Sequence, residues 1–230
     1  SVRRFSAEQV PDQLVLELLA LANRAPSGFN LQPWHFIVVR DPRLKELLFH
    51  IAMEQSQIVE APLVVVFVAD PMAWKDSYEE VLKLGREMMV IDKARESTYR
   101  KRVRLLFRTG PFGIFGFLKK LYIPIRRLFR PTPHVITSEA EAADYVRMQT
   151  MLAASTFMIA ASAAGLGTCP MEGFDEGRLK RLLAIPSKMT IPVIIPIGYP
   201  LPDGSPVSVR LALEDKVSVD LFHGRLKKQK

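Results

Sequence analysis

The sequence predicts an α+β fold in three layers: a central mixed sheet flanked by helices, with an extended C-terminal tail. Three observations carry that reading. Leu63 to Ala69 is continuously apolar and rich in β-branched residues, the mark of a strand covered on both faces. Leu14, Val15, Leu18, Leu21, Ala22 and Ala25 recur at spacings of three and four, as on the buried face of a helix. A third pattern runs from Glu139 to Ala164, long enough for a scaffold spine. With 230 residues the chain can bury one substantial core, and residues 1–230 are read as one domain with a divergent basic helical insert at about 100–133.

In chain order, Ser6 to Gln9 resembles a capping box, and Pro11 suits the first turn of a helix continuing through Asn23. Pro26-Ser-Gly-Phe-Asn30 stops it, because these residues favour turns. His35 to Arg40 reads as a strand. Asp41-Pro42 opens a helix carrying Leu44, Leu47, Leu48 and Ile51, and Gln55 and Gln57 fall in a polar turn before Pro62. From Lys75 to Arg108 the pattern favours helix. Glycines break it between Gly110 and Gly116, and Phe117 to Arg130 follows as a basic amphipathic helix that Pro124 should kink.

Ser138 and Glu141 form a second capping box for the spine helix. At its end the small run Ala160 to Ala164 allows close packing. Gly165 then turns the chain toward Pro170-Met-Glu-Gly173, a loop whose backbone can lie against a planar ligand. Asp175 caps a short helix ending near Pro186. Thr190 to Gly198 reads as a strand whose two prolines favour an edge position. A polar turn, residues 202–206, precedes the tail with Arg210 and the terminal Lys227 to Lys230.

Composition narrows the chemistry. No run of 18 apolar residues occurs, and Glu8 and Asp12 interrupt any apolar core of an export signal. Cys169 is the single cysteine, which argues for a reducing compartment and for packing rather than a nucleophile. His35, His50, His134 and His223 lack metal-ligand spacing, so no metal is expected. The formal charge of +8 is local. Arg100 to Arg130 holds ten basic residues and no acidic one, and the remainder carries −2.

Four pieces taken together resemble the FMN-dependent nitroreductase superfamily: Ser1-Val-Arg-Arg-Phe5, Ala25-Pro-Ser-Gly-Phe-Asn-Leu-Gln-Pro-Trp34, Gly165 to Phe174, and Ile197-Gly-Tyr-Pro200 followed by Arg210. Their order and spacing match over nearly the whole chain except Lys75 to Pro133. The resemblance implies a nitroreductase-like fold and a homodimer with two FMN molecules at the subunit interface. In it Ser1 bonds the phosphate, Val2 belongs to the same cofactor-binding arm, Arg3 lies near the flavin's pyrimidine edge, and Arg210 pairs with the phosphate. Pro26, Ser27 and Asn30 reach the partner's flavin, Gln149 touches the flavin, and Pro170, Met171, Glu172 and Gly173 line its reactive edge. The family usually has an Arg two places before Ser1, which this sequence does not contain, and a basic residue near Ser208, where this chain has a hydroxyl.

The implied activity is a two-step cycle in which NAD(P)H reduces FMN and a nitroaromatic, quinone or similar small acceptor then takes the hydride. Arg3 stabilises charge on the reduced flavin, and Glu172 either orients the nicotinamide or fixes its loop. Reductive dehalogenation and oxidative fragmentation of the flavin are competing chemistries of the same superfamily. A cytoplasmic enzyme is expected. From another class comes a protein that binds a membrane surface through Arg100 to Arg130, against an insert that caps the flavin with its charges solvated. Nucleic acid is excluded for want of a binding module.

Overall fold

A computed structural model describes residues 1–133, 135–202 and 208–222. The turn at 203–206 and the terminal Lys227 to Lys230 lie outside the described residues, as do His134 and His223.

Among the described residues four strands form the central sheet: β1 (Trp34–Val39), β2 (Leu63–Ala69), β3 (Gly167–Thr168) and β4 (Thr190–Gly198), in the order β1-β2-β4-β3. Every pairing among the described residues is antiparallel, where a mixed sheet was expected. All seven residues of β2 are buried. Successive side chains point to opposite faces. Leu63, Val65 and Phe67 join one core cluster, while Val64, Val66 and Val68 join another.

The first cluster lies under α1 (Asp12–Asn23) and α7 (Glu139–Ala163), with Phe157 of α7 in edge-to-face contact with Phe67 at 5.6 Å. The second lies under α2 (Pro42–Ile51), α3 (Gln57–Glu60) and α8 (Glu176–Leu182). These are the three layers. A third cluster, with Leu31, Tyr78, Leu82, Val103, Phe107 and Ile136, joins α4 (Asp76–Glu87) and α5 (Lys93–Phe107) to the start of α7. Beyond α5 comes α6 (Ile114–Phe129).

Several caps form as expected. Leu44 N donates to Asp41 Oδ1 at 2.9 Å, Glu141 N to Ser138 Oγ at 3.1 Å, and Arg178 N to Asp175 Oδ1 at 2.9 Å. Ser6 does not cap α1. Its Oγ accepts from Glu8 N at 3.3 Å, and Pro11 holds the N-cap position without a side-chain cap. The single helix expected over Lys75 to Arg108 is two, because the amides of Val90 and Ile91 both turn back to Gly85 O. Asp92 then caps α5 through Arg95 N at 2.8 Å. Pro124 does not end α6; both Pro124 and Lys120 are exposed, so water can bond the Lys120 carbonyl deprived of its donor.

Strand β4 is interior, contrary to the edge position its prolines suggested. Alternation resolves the conflict. Ile194 N and O both pair with Met171, so even-numbered residues of β4 turn their backbone groups away from β2. The missing donor of Pro196 therefore faces the sparsely paired β3 side, and the ladder to β2 runs in register from Leu63 to Phe67; Pro192 sits where the register then shifts between Phe67 and Ala69, an irregularity that tolerates a missing donor.

Candidate active site

The N-terminal arm is laid along the sheet by backbone bonds. Val2 N donates to Thr168 O at 3.0 Å, Ser6 N to Tyr199 O at 2.9 Å, and Leu201 N to Arg4 O at 3.2 Å. Val2 covers Gly167, where a Cβ would come within 2.6 Å of Val2 Cγ2, so glycine permits this approach. Val2 and Phe5 pack into the core, leaving Ser1, Arg3 and Arg4 exposed.

Beside them lies the loop at the end of the spine helix. The amides of Gly165 and Leu166 return to Ser162 O and Ala161 O, with Gly165 at φ +77°, a Schellman ending. After β3, Cys169 N bonds Pro196 O at 3.1 Å and Met171 exchanges both backbone bonds with Ile194. The Met171 side chain is buried, so this residue can offer only backbone, whereas Pro170, Glu172 and Gly173 are exposed. Glu176 braces the loop from behind: its Oε1 accepts from Ile191 N at 3.0 Å and its Oε2 from Arg147 Nη2 at 2.9 Å. Cys169 is buried among apolar side chains, as its packing role predicts.

A third wall is the polar turn before Pro62. Met53 and Glu54 adopt left-handed φ of 57° and 55°, unfavourable for residues with a Cβ, and deliver Gln55 to Gln57 to the loop. Gln55 Nε2 donates to Ala52 O at 3.1 Å and Gly173 O at 3.3 Å, and Gln57 Nε2 approaches Cys169 Sγ at 3.8 Å. Lys45 anchors α3 from beneath, donating to the carbonyls of Val59 and Ala61; burial lowers its pKa. The sequence signal was slight: three short polar residues between apolar runs.

These walls enclose a cavity of about 640 Å³ lined by Ser1, Arg3 and Arg4 of the arm, Gln55 to Gln57, and Cys169 to Gly173. That volume lies within the usual range for small-molecule sites. Two guanidinium groups at its rim suit a phosphate or another anion, and a Cβ at Gly173 would already stand 3.3 Å from Gln55 Nε2. The residues present therefore fit a ligand with an anionic tail and a flat body laid on the loop.

Pro26, Ser27, Asn30 and Gln149 form a separate group that does not line this cavity. Gly28 N donates to Gln149 Oε1 at 2.7 Å, tying the 26–30 loop to α7, and Ser27 Oγ accepts from Gln32 N at 3.0 Å. Phe29, Asn30 and Gln32 all have positive φ, so this loop also holds strain. Arg210 is exposed, with Nη1 on Val209 O at 3.0 Å, and is not among the cavity residues.

Comparison with known proteins gives the same outline. An NADH dehydrogenase of Thermus thermophilus is 32% identical over 93% of this chain and 88% of its own length. An iodotyrosine deiodinase of Thermotoga neapolitana is 29% identical over 87% of this chain and 83% of its own length. A protein of Exiguobacterium sibiricum solved in complex with FMN superposes with a TM-score of 0.70 at 20% identity, covering 95% of this chain and 91% of that one, a likeness of fold. The family model for the nitroreductase family matches residues 1–199, and with the arm, the Pro-Met-Glu-Gly loop and the three-layer fold in place, the chain belongs to the nitroreductase family.

Proposed function

We propose that this protein is an FMN-dependent oxidoreductase that uses NAD(P)H to reduce a small aromatic acceptor. FMN is the cofactor of the family, with NAD(P)H as electron donor. The observation that carries the reading is the cavity in which the N-terminal arm meets the Pro170 to Gly173 loop. Bound there, FMN would take hydride from NAD(P)H and deliver it to a second molecule.

Within this reading Ser1 and Arg3 hold the anionic parts of the cofactor, and Arg3 keeps a fixed positive charge where negative charge collects. Arg210 joins the phosphate from the C-terminal tail. Pro170, Met171 and Gly173 present backbone to the flat ring, and Gln55 fixes the loop through Gly173 O. Glu172, exposed at the mouth, orients the nicotinamide or the acceptor.

Pro26, Ser27, Asn30 and Gln149 serve the cofactor of a partner copy. In support, α7 turns Met148, Leu152 and Ile159 to solvent on one face near Gln149, with exposures of 62%, 43% and 69%. No charged residue occurs between Arg147 and Glu172, as suits a homodimer contact. The lone Cys169 and the use of NAD(P)H fit a cytoplasmic setting.

Nitroaromatics and quinones are the first acceptors to test. Reductive dehalogenation is the second reading, because a relative at 29% identity is named a deiodinase. The deciding experiment is the visible spectrum of the purified protein. Oxidised-flavin bands that bleach on adding NADH or NADPH without oxygen are expected. A colourless protein that takes up no added FMN would overturn the proposal.

A further inference from the structure

Helix α6 is mounted backwards. In an ordinary surface helix of a soluble protein the apolar stripe faces the core and the charges face water. Here the inward face is formed by Gly116, Lys119 and Ile123. Gly116 is buried and its amide donates to Thr109 O at 3.0 Å. A Cβ on Gly116 would fall 1.9 Å from Thr137 O, so the helix rests directly on backbone.

Lys119 Nζ donates to Leu106 O at 3.1 Å, Arg108 O at 2.7 Å and Ile136 O at 3.0 Å, closing the end of α5 and the approach to α7. Residues three, four and seven apart share a helix face, so these anchors force the opposite face outward. That face carries Ile114, Phe117, Leu118, Leu121, Tyr122, Ile125, Leu128 and Phe129, all exposed, with Phe117 at 62% and Leu128 at 80%.

Charge decides what covers it. By helical position Lys120 borders the apolar sector on one side and Arg126 on the other, Arg127 lies farther round toward the anchored face, and Arg130 is the C-cap, where the chain has left the helix. None of the four side chains makes a hydrogen bond or ion pair among the described residues, and no acidic residue lies between Arg100 and Arg130. A second copy is a poor occupant, since a two-fold contact would set these cations against themselves. A convex helix about 24 Å long with cations along both flanks matches a plane of anionic headgroups over an apolar layer. No helix among the described residues is long and apolar enough to cross a membrane, so the contact is one of lying on the surface.

We propose that α6 docks the protein onto an anionic lipid bilayer, with Phe117, Leu121, Ile125 and Leu128 entering the interface, Lys120 and Arg126 at headgroup level, and Arg127 and Arg130 adding positive charge from farther round the helix. The cleft between α5 and α6, with Leu105, Phe115, Leu118 and Tyr122 within and Lys101, Arg104 and Arg108 at its edge, continues the same apolar and cationic surface. The proposal is independent of the flavin reading.

Cosedimentation tests it, using vesicles of phosphatidylcholine alone and vesicles mixed with phosphatidylglycerol. Pelleting with the mixed vesicles only, reversed by salt, is expected. Leu121→Asp/Leu128→Asp, at exposed positions that leave the anchors untouched, should lower partitioning about tenfold or more. Each neutralisation, Lys120→Gln or Arg126→Gln, should lower it about fivefold. Circular dichroism confirms that the variants fold. Failure to pellet, equal pelleting with neutral vesicles, or variants that pellet like the parent would overturn the proposal. So would binding of soluble polyglutamate as tight as that of the mixed vesicles, or a change in oligomeric mass caused by the Asp variants without lipid; either would point to a protein partner.

Discussion

Helices α6 and α7 each turn a stripe of large apolar side chains to solvent, and their charge settings are opposite. On α7 the exposed Met148, Leu152 and Ile159 lie in a stretch without charge, and the inward side of the same helix carries Phe157 against the sheet. On α6 the exposed apolar residues lie between cations, and the inward side is a glycine and a lysine. An uncharged stripe can meet its own copy without penalty, whereas a cationic one needs an anionic counterpart. The inward sides differ as much. One is bonded to the core by packing, the other to backbone carbonyls at the end of a neighbouring helix.

Phe157→Ala should have the largest effect, costing about 3–5 kcal/mol in urea unfolding, because it opens a cavity beside Phe67 in the core. Gly116→Ala should cost about 1–3 kcal/mol, since the Thr137 backbone must move to admit a methyl group. Its loss should be local. Hydrogen exchange should rise in residues 109–130 while the flavin spectrum is retained, and a uniform rise across the chain would erase the distinction between the two mounts.

Ile159→Glu should weaken self-association by about 2 kcal/mol, roughly thirtyfold, in analytical ultracentrifugation. An unchanged dimer would remove α7 from the interface. Arg3→Leu should weaken FMN binding by about 1.5–2 kcal/mol, read by fluorescence titration, without altering vesicle binding.

A pH effect should be the smallest. Burial pushes the Tyr78 phenol up to about 12, with Tyr99 and Glu79 adding to the shift and Arg100 opposing it. The folded state thus keeps a proton that the unfolded chain releases near pH 10. This contribution is whole below pH ~10 and is lost as pH rises through about 12. Tyr78 belongs to the cluster joining α4 and α5 to the start of α7, so melting temperatures should fall between pH 10 and 12, less steeply in Tyr78→Phe.

Much of this was legible in the letters. The unbroken run of β2, the caps at Asp41, Ser138 and Asp175, and the Gly165 turn all depend on residues near one another, and local chemistry determines them. The arm and the Pro170 to Gly173 loop could be paired only by resemblance, because Val2 and Thr168 meet through backbone atoms that carry no side-chain signature. The sequence shows Gln55 only as part of a polar turn for a similar reason: its contact with the loop depends on the left-handed turn at Met53 and Glu54, which neither residue favours. Strand β4 reads as an edge yet lies inside the sheet, because a proline shows that a donor is missing but not which neighbour loses it. The inversion of α6 was hidden as well, since amphipathicity identifies two faces and only Gly116 and Lys119 fix which one turns inward.

The prolines of β4 leave a further mark on the loop beside the cavity. Cys169 gives a hydrogen bond to Pro196 and receives none back, so the seam between this segment and the sheet is perforated where it approaches the site. Beyond β3, the Met171–Ile194 pair closes it with bonds in both directions. Past that pair the chain leaves the sheet, and its next tie is to Gln55, whose Nε2 donates to Gly173 O at 3.3 Å. The exposed Glu172 thus stands between a support given by the sheet and one given by a side chain from the left-handed turn at Met53 and Glu54.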